Sequence, residues 1–276
     1  MRSLSLMHEP ARRAICAILL LSLGVNWALA ASCSKPLYLT FDAGHMDAAP
    51  LVAEVLKRQQ VQVTFFASNE ATREGGGALS NHWAPWWKER AAEGHEFASN
   101  TYDQVVWRAD ERSVEPRFRV QPMVGAFAHR EFTWDAKKYC AQVAYANERL
   151  EDFTGKKALP LFRAPQGKTS RKLLAATQAC GFAHVGWSAA GLLGDELPSE
   201  RFSNEALLKK SLRDIRSGDI LMAHLGVWTR KDAWAPAVLE PLIVGLKERG
   251  FCFETLRQHP AYRDWIAQSE HLPAKP

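Results

Sequence analysis

The sequence predicts an α/β fold, an incompletely closed barrel of about seven parallel strands wrapped by helices. Short apolar runs alternate with longer stretches of helical periodicity along most of the 276-residue chain, which is typical of a parallel sheet covered by helices. Several runs are continuously apolar, as expected of strands buried on both faces. An open doubly wound sheet is the alternative, although no glycine-rich phosphate loop follows the first run.

Seven short and largely apolar runs are the predicted strands. They span Leu37–Phe41, Gln62–Phe66, Glu96–Ser99, Leu159–Phe162, Ala183–Trp187, Asp219–Ala223 and Phe251–Glu254. The segment from Val105 to Thr133 is long and contains Pro116, Pro122 and Gly125. We interpret it as an insertion after the third strand that overhangs the site, because long loops in compact domains are usually functional.

Five predicted helices lie between the strands: Asp47–Gln60, Trp134–Phe153, Ser170–Cys180, Asn204–Arg216 and Pro236–Arg249. Thr133 and Ser203 precede two of them as candidate N-caps. Gly181 and Gly250 follow two of them, where glycine ends helices, and Pro236 would lie in a first turn. Trp83, Trp86 and Trp87 also cluster at helical spacing, which favours packing over a sugar-binding platform.

The N-terminus has the order of a secretory signal peptide. Arg12 and Arg13 precede an apolar run, which small residues ending at Ala30 follow. We predict cleavage after Ala30, so that residues 31–276 form one domain in the periplasm or outside the cell. A retained anchor helix and a lipid-anchored Cys33 are the alternatives.

Export makes the remaining cysteines candidates for disulfides. Four cysteines remain after the predicted cleavage, an even number that allows three pairings: Cys33, Cys140, Cys180 and Cys252. Cys140 and Cys180 lie on consecutive predicted helices. Cys33 precedes the first strand and Cys252 lies in the last, and a barrel places those strands side by side. These positions favour Cys140–Cys180 and Cys33–Cys252.

Polar residues stand where several predicted strands end. Asp42, Asn100, Arg163 and His224 each come directly after an apolar strand. Active sites of parallel α/β barrels lie at the carboxyl ends of the strands. The sequence therefore predicts a carboxylate, a guanidinium and an imidazole at one mouth, which is a plausible acid–base set.

Five segments around these residues resemble the motifs of NodB-type polysaccharide deacetylases. Thr40–Gly44 (TFDAG) is similar to the T-F-D-D-G motif, and Gly94–Gln104 is similar to the segment with the H-[ST]-x-x-H motif. Arg163–Gly167 (RAPQG) resembles R-x-P-Y-G. Trp187 corresponds to the tryptophan-bearing strand, and Ile220–His224 to the strand that ends in the family's last histidine. The resemblance runs in order from about residue 35 to 258.

The resemblance implies a distorted, partly closed α/β barrel that hydrolyses N-acetyl, or sometimes O-acetyl, groups on a glycan. It assigns Asp42 as the base, Arg163 as its partner and His224 as the acid that protonates the leaving amine. Asp195 is a candidate for orienting His224. The implied partner is a polysaccharide or a peptidoglycan-like glycan of the cell envelope. The net charge of +5 is scattered and does not indicate a nucleic-acid footprint.

The family's zinc ligands are replaced in this chain. The second Asp and the two histidines correspond to Ala43, Asn100 and Gln104, and neither a methyl group nor neutral carboxamides build a zinc site. We therefore predict no metal and no cofactor.

Asn100 and Gln104, together with Trp228, are instead candidates for substrate binding. His45, His95 and Asp103 are the alternative ligands, although His95 is also typical of a structural histidine. A catalytically inactive glycan-binding protein on the same fold is the alternative function. The presence of Asp42, Arg163 and His224 favours the enzyme, and the missing ligands favour the binding protein.

Overall fold

The computed structural model describes residues 33–270. The predicted signal peptide, residues 1–30, lies outside the described residues, as does the predicted start of the mature chain at Ala31. Within residues 33–270, no helix has both the length and the apolar character that crossing a membrane requires.

The described part of the chain forms two sheets. In chain order the strands are β1 (Pro36–Asp42), β2 (Thr64–Ala67), β3 (Glu96–Ser99), β4 (Val105–Asp110), β5 (Arg117–Pro122), β6 (Phe132–Asp135), β7 (Leu161–Phe162), β8 (Ala183–His184), β9 (Ile220–His224) and β10 (Cys252–Phe253). Strands β1, β2, β3, β7, β8, β9 and β10 are parallel and form the main sheet. The predicted α/β fold with about seven parallel strands is confirmed.

Strand β1 lies at the centre of the main sheet. It pairs with β9 along one edge, whereas β10 and then β2 share its other edge. Between β8 and β9 an isolated bridge from Leu192 to Met222 stands in place of a ladder. The strands therefore form no continuous closed ring, which agrees with the predicted incomplete closure.

Helices cover the sheet. In chain order they are α1 (Ala49–Arg58), α2 (Ala84–Ala92), α3 (Ala136–Thr154), α4 (Arg171–Ala179), α5 (Asn204–Asp214), α6 (Leu239–Glu248) and α7 (Arg263–Glu270). Helix α1 buries Val52, Val55 and Leu56 on one face, and each buried side chain contributes roughly 1.5–3 kcal/mol. Helices α2 and α7 were not among the predicted helices. The tryptophan cluster at α2 packs as expected, with Trp87 fully buried and its indole N–H donating to the Ala78 carbonyl at 2.8 Å.

The predicted start of α3 is wrong by a few residues. Thr133, expected to be its N-cap, pairs instead with Arg119 in the antiparallel sheet. The helix begins at Ala136, and the Asp135 carboxylate caps it by accepting the backbone N–H of Lys138 at 2.8 Å. Strand β6 runs directly into α3 with no loop between them. No turn residues in the sequence therefore mark the position of the cap.

The predicted start of α6 is also wrong, because the helix begins at Leu239 and Pro236 lies before its first turn. The preceding segment buries Trp234 and Ala235 as a loop in the core. These two residues are apolar because a buried loop requires apolar side chains. That apolar character made the segment resemble the start of a helix.

The predicted insertion forms the antiparallel sheet β4–β5–β6. Phe118 and Val120 on β5 pack against Tyr139 and Val143 on α3, and against Leu173 on α4. The insertion is therefore held against α3 and α4 by an apolar cluster. Its first residues directly follow the segment that contains Asn100 and Gln104.

Both predicted disulfides are confirmed. Cys33 and Cys252 are bridged with their Cα atoms 5.9 Å apart, and Cys140 and Cys180 with theirs 6.3 Å apart. The first bridge ties the residues before β1 to the neighbouring strand β10. The second joins α3 to the end of α4.

Candidate active site

The parallel register brings the predicted site residues to one edge of the sheet. Asp42 is the last residue of β1 and lies opposite His224, the last residue of β9. Ser99 of β3 lies opposite Phe162 of β7, so Asn100 and Arg163 follow their strands at the same level. Parallel strands present their carboxyl ends on one side of a barrel, which explains why residues far apart in sequence meet here.

Asp42 and Arg163 form a buried ion pair. Nη1 of Arg163 donates to Oδ1 of Asp42 at 2.5 Å. The Arg163 side chain is fully buried and that of Asp42 is 11% exposed. The pair fixes one carboxylate oxygen of Asp42 and leaves the other free for a water molecule or substrate.

The remaining contacts of Arg163 hold its guanidinium rigidly. Nε donates to the Val185 carbonyl at 3.3 Å and Nη2 to the Gly186 carbonyl at 3.2 Å. The guanidinium also lies over the ring of Phe66, 4.1 Å from its centroid. Because β2, β8 and the chain after β8 all contact it, the orientation of Arg163 is set before any substrate binds.

His224 is held by Asp195. The Asp195 carboxylate accepts the backbone N–H of His224 at 2.7 Å, and its two oxygens lie 3.2 and 3.3 Å from Nδ1 of the imidazole. Burial alone lowers the pKa of His224, but the negative charges of Asp195 and Asp42 outweigh this effect and raise the pKa to about 10. His224 is therefore an imidazolium near neutral pH and can donate a proton.

Glu196 stands beside the Asp195–His224 pair and was not predicted from the sequence. Burial raises the pKa of Glu196, and the charge of Asp195 raises it further. One carboxyl oxygen of Glu196 is buried and has no hydrogen-bond partner among the described residues. The acid form is thus favoured, and it leaves the negative charge on Asp195, where it faces the imidazole.

Glu70 is a second acidic residue that the sequence analysis missed. It lies three residues beyond the end of β2, and its carboxyl group accepts a hydrogen bond from Ser68 Oγ at 3.0 Å. Burial raises the pKa of Glu70 and the charge of Asp42 raises it further, whereas His224, Ser68 and Gln104 lower it. The strand-end rule pointed to residues that directly follow a predicted strand, whereas Ser68 and Asn69 separate Glu70 from the end of β2.

The three predicted substrate-binding residues take different positions. Asn100 is buried, and its Nδ2 donates to the carbonyl of Arg163 at 3.2 Å. Gln104 has a left-handed backbone, with φ of 49°, and its side-chain amide lies near enough to the carboxyl group of Glu70 to lower the pKa of that group. Trp228 is 63% exposed and contacts His45, whose ring centroid is 4.6 Å away.

A cavity of about 230 Å³ opens beside His224. His45 and Arg73 form part of one wall, and Asp195, His224 and Trp234 form part of another. The cavity is smaller than the roughly 300–1,000 Å³ of typical ligand pockets, so it holds part of a ligand only. Its position gives a bound group access to the imidazole.

The residues at the family's metal-ligand positions do not fit a metal. Ala43 offers only a methyl group, the Asn100 amide is engaged with the Arg163 carbonyl, and Gln104 interacts with Glu70. Within residues 33–270, the one group of three metal-ligating side chains that lie close together is Asp195, Glu196 and His224. None of these three occupies a ligand position of the family motif.

Two of the alternative ligands are excluded by their contacts. His95 precedes β3 and so lies at the strand end opposite to Asn100, where its Nδ1 accepts the backbone N–H of Val63 at 3.1 Å. Asp103 accepts a hydrogen bond from Gln142 Nε2 at 3.0 Å and so is engaged with α3. His45 does line the cavity beside His224, but one imidazole does not make a zinc site.

Comparison with known proteins agrees with the family resemblance. The family model described as polysaccharide deacetylase matches residues 30–185. A chitooligosaccharide deacetylase of Azorhizobium caulinodans is 24% identical over 230 residues, which are 80% of this chain and 92% of that protein. The peptidoglycan-N-acetylmuramic acid deacetylase PdaA of Bacillus subtilis is 24% identical over 224 residues, which are 80% of this chain and 70% of PdaA.

Solved structures share the fold. A family 4 acetyl xylan esterase from Clostridium thermocellum, in complex with a cobalt ion, has a TM-score of 0.61 at 19% identity, over 83% of this chain and 92% of that one. A CE4 family pseudoenzyme from Bacillus anthracis has a TM-score of 0.57 at 17% identity, over 82% of this chain. The match spans 65% of the pseudoenzyme chain.

Proposed function

The chain belongs to the polysaccharide deacetylase family, and from that premise we propose that it is a hydrolase that removes acetyl groups from an N-acetylated, or O-acetylated, glycan of the cell envelope. The observation that carries the proposal is that two charged pairs lie at one strand edge: Asp42 with Arg163, and His224 with Asp195. A carboxylate that is held in place but has one free oxygen is suited to act as a base. An imidazolium opposite to it is suited to act as an acid.

The two charged pairs carry out different steps of the reaction. The free oxygen of Asp42 takes one proton from a water molecule, whose oxygen attacks the carbonyl carbon of the acetyl group. The C–N bond then breaks as His224 delivers its proton to the leaving nitrogen. The products are a free amine on the sugar and acetic acid, and the proton on Asp42 returns to His224 through solvent.

Arg163 and Asp195 act as positioning residues in this scheme. Arg163 holds Asp42 against the sheet with a guanidinium that three other contacts fix. Asp195 binds both the backbone and the ring of His224, so that one ring nitrogen remains for the leaving group. Asn100 and Gln104 are proposed to contact the substrate, and Trp228 to stack on a sugar ring, since exposed aromatic rings suit sugar faces.

The substrate class follows from the relatives, which act on chitooligosaccharide and on the N-acetylmuramic acid of peptidoglycan. The proposed location is the periplasm or the cell exterior, with residues 1–30 removed as a signal peptide and residues 31–276 forming one catalytic domain. N-terminal sequencing of the protein purified from its host tests this directly. An intact Met1 on soluble protein would contradict it.

A glycan-binding protein without activity is the second candidate, favoured by the replacement of all three ligand positions. A pseudoenzyme with the same fold exists, and one mutant of it is described as having restored enzymatic activity. For this chain we propose that the wild type holds no tightly bound zinc. The variant Ala43→Asp, Asn100→His, Gln104→His should bind zinc, since three protein ligands and water complete a catalytic zinc site.

The deciding experiment measures acetate release from acetylated chito-oligosaccharides and from peptidoglycan, with metal analysis of the same samples. Wild-type protein should release acetate slowly and in the presence of a chelator, and Asp42→Asn should not. Binding of the oligosaccharides without any release would support the binding protein instead. Stoichiometric zinc in the wild type, or activity that a chelator abolishes and zinc restores, would contradict the assignment of a metal-free site.

A further inference from the structure

We propose that Glu70 is an additional catalytic residue, whose carboxyl group donates a hydrogen bond to the carbonyl oxygen of the acetyl group as that oxygen gains negative charge. The proposal rests on the proposed function, because it requires an acyl group held between Asp42 and His224. Glu70 lies outside the five segments that resemble the family motifs, so the resemblance gives it no role.

The backbone places Glu70 at the strand edge where Asp42 lies. Phe66 of β2 is the register partner of Asp42, and the chain continues from β2 for only three residues to reach Glu70. The Glu70 carbonyl accepts the backbone N–H of Ala78 at 2.8 Å, and Ala71 and Gly77 form a bridge. The loop therefore closes on itself and fixes the residue that carries the side chain.

The Glu70 side chain is only partly exposed and forms a hydrogen bond within the site. Ser68 Oγ donates to one of its carboxyl oxygens at 3.0 Å, and Ser68 is itself fully buried. Gln104, Asp42 and His224 all lie close enough to the same carboxyl group to shift its pKa. Because Gln104 stands at a family ligand position, the Glu70 carboxyl lies beside the place where the family holds its metal.

A carboxylic acid at that place can supply part of what the metal otherwise supplies. A metal ion polarises the carbonyl oxygen and stabilises the charge that develops on it. A neutral carboxylic acid in a dry site can do the same as a hydrogen-bond donor, provided that it keeps its proton. Burial and the charge of Asp42 raise the pKa of Glu70, which favours the acid form.

The test compares four proteins: wild type, Glu70→Gln, Glu70→Ala and the control Glu74→Gln. Glu74 lies on the same loop, with 60% of its side chain exposed, and His82 is its ion partner among residues 33–270. Loss of one donor to a developing oxyanion lowers kcat by about 10²–10³-fold. We expect that loss in Glu70→Ala, with little change in KM, and an activity within about tenfold of wild type in Glu70→Gln, which retains an N–H donor.

The pH profile adds a second measurement. Wild-type activity should fall on the alkaline side in two steps, as Glu70 and as His224 lose their protons, and Glu70→Gln should retain only the step that belongs to His224, because an amide does not titrate. The proposal is overturned if Glu70→Ala has the same kcat as Glu74→Gln. It is also overturned if Glu70→Gln is as inactive as Glu70→Ala, because the negative charge would then be the property that matters.

A binding measurement separates failure of this proposal from failure of the proposed function. If wild type releases no acetate, the affinities for N-acetylated and for deacetylated chito-oligosaccharides are measured by calorimetry. Glu70→Ala should weaken binding of the acetylated oligosaccharide at least several-fold and leave the deacetylated one unchanged, since only the former has an acyl oxygen. Equal affinities of wild type and Glu70→Ala for the acetylated oligosaccharide would refute the role of Glu70.

Discussion

Replacing Asp42 by Asn tests whether the ion pair with Arg163 supports the fold as well as the chemistry. The substitution keeps the size of the side chain and one acceptor oxygen but removes its charge. The guanidinium of Arg163 is fully buried, and its other partners are the neutral carbonyls of Val185 and Gly186. Removing one member of a buried pair costs about 3–5 kcal/mol, because the other charge remains uncompensated.

Urea unfolding with intact disulfides measures the effect, and a double-mutant cycle isolates the pair. Asp42→Asn should lower the free energy of unfolding by about 3–5 kcal/mol with an unchanged m value. Arg163→Met should also destabilise. The variant with both substitutions should lose less than the sum of the two losses, because the second change removes the charge that the first left unpaired.

An exposed pair provides the matched control. Arg58 and Glu240 are 2.7 Å apart, but 52% of the Arg58 side chain is exposed, so Glu240→Gln should change stability far less than Asp42→Asn. If Asp42→Asn stays within about 1 kcal/mol of wild type, or if the cycle gives no coupling, the buried pair does not carry the charge balance that we assign to it.

Three further predictions concern other features of the molecule. Because the folded-state pKa of His224 is raised from 6.5 to about 10, its contribution to stability should be complete below about pH 6.5 and lost as the pH rises toward 10. The loss of unfolding free energy should be at most about 1.4 kcal/mol per pH unit. Urea unfolding between pH 6 and 10 measures it. If His224→Gln leaves the slope of unfolding free energy against pH unchanged, the prediction is contradicted. Replacing both Cys33 and Cys252 by Ala should lower the free energy of unfolding by about 5 kcal/mol, as chain entropy predicts for so long a loop, and by more than the same change at the other disulfide, which closes a shorter loop. Trp228→Ala should raise KM for chito-oligosaccharides with little change in kcat, because an exposed ring contacts the sugar rather than the reacting atoms; a lower kcat at constant KM would count against it.

Sequence reasoning succeeded where one physical cause dominates. The strands could be predicted because burial on both faces requires continuous apolar runs, and the parallel order then placed Asp42, Asn100, Arg163 and His224 at one edge. The disulfides followed from the same topology, since Cys33 and Cys252 flank neighbouring strands. Each of these inferences needs only the order of the elements.

The parts that could not be predicted depend on local backbone geometry. Glu70 reaches the site through a loop that closes on itself, and the fold of that loop is set by hydrogen bonds such as that from Ala78 N–H to the Glu70 carbonyl. Glu196 becomes part of the site only because the chain after β8 replaces a regular strand by the single bridge at Leu192. Neither feature leaves a periodic pattern in the sequence.

The charges of the site argue for one protonation pattern. Asp42 is neutralised by Arg163, and Asp195 by the imidazolium of His224. No further cation pairs with Glu70 or Glu196 within the described residues, and the pKa of both is raised, first by burial. A desolvated carboxyl group without a cationic partner avoids the cost of an uncompensated charge by keeping its proton.

The raised pKa values of Glu70 and Glu196 are relevant to the replacement of the family's metal ligands. A divalent ion at this strand edge would favour ionised carboxylates around it, whereas here the pKa values of Glu70 and Glu196 are raised, toward the acid form. The replacement of an acidic residue by Ala43 and the presence of an acid at Glu70 are therefore parts of one arrangement. It provides proton donors on both sides of Asp42, from Glu70 and from His224, and hydrolysis of an acetyl group requires a donor at the carbonyl oxygen and another at the leaving nitrogen.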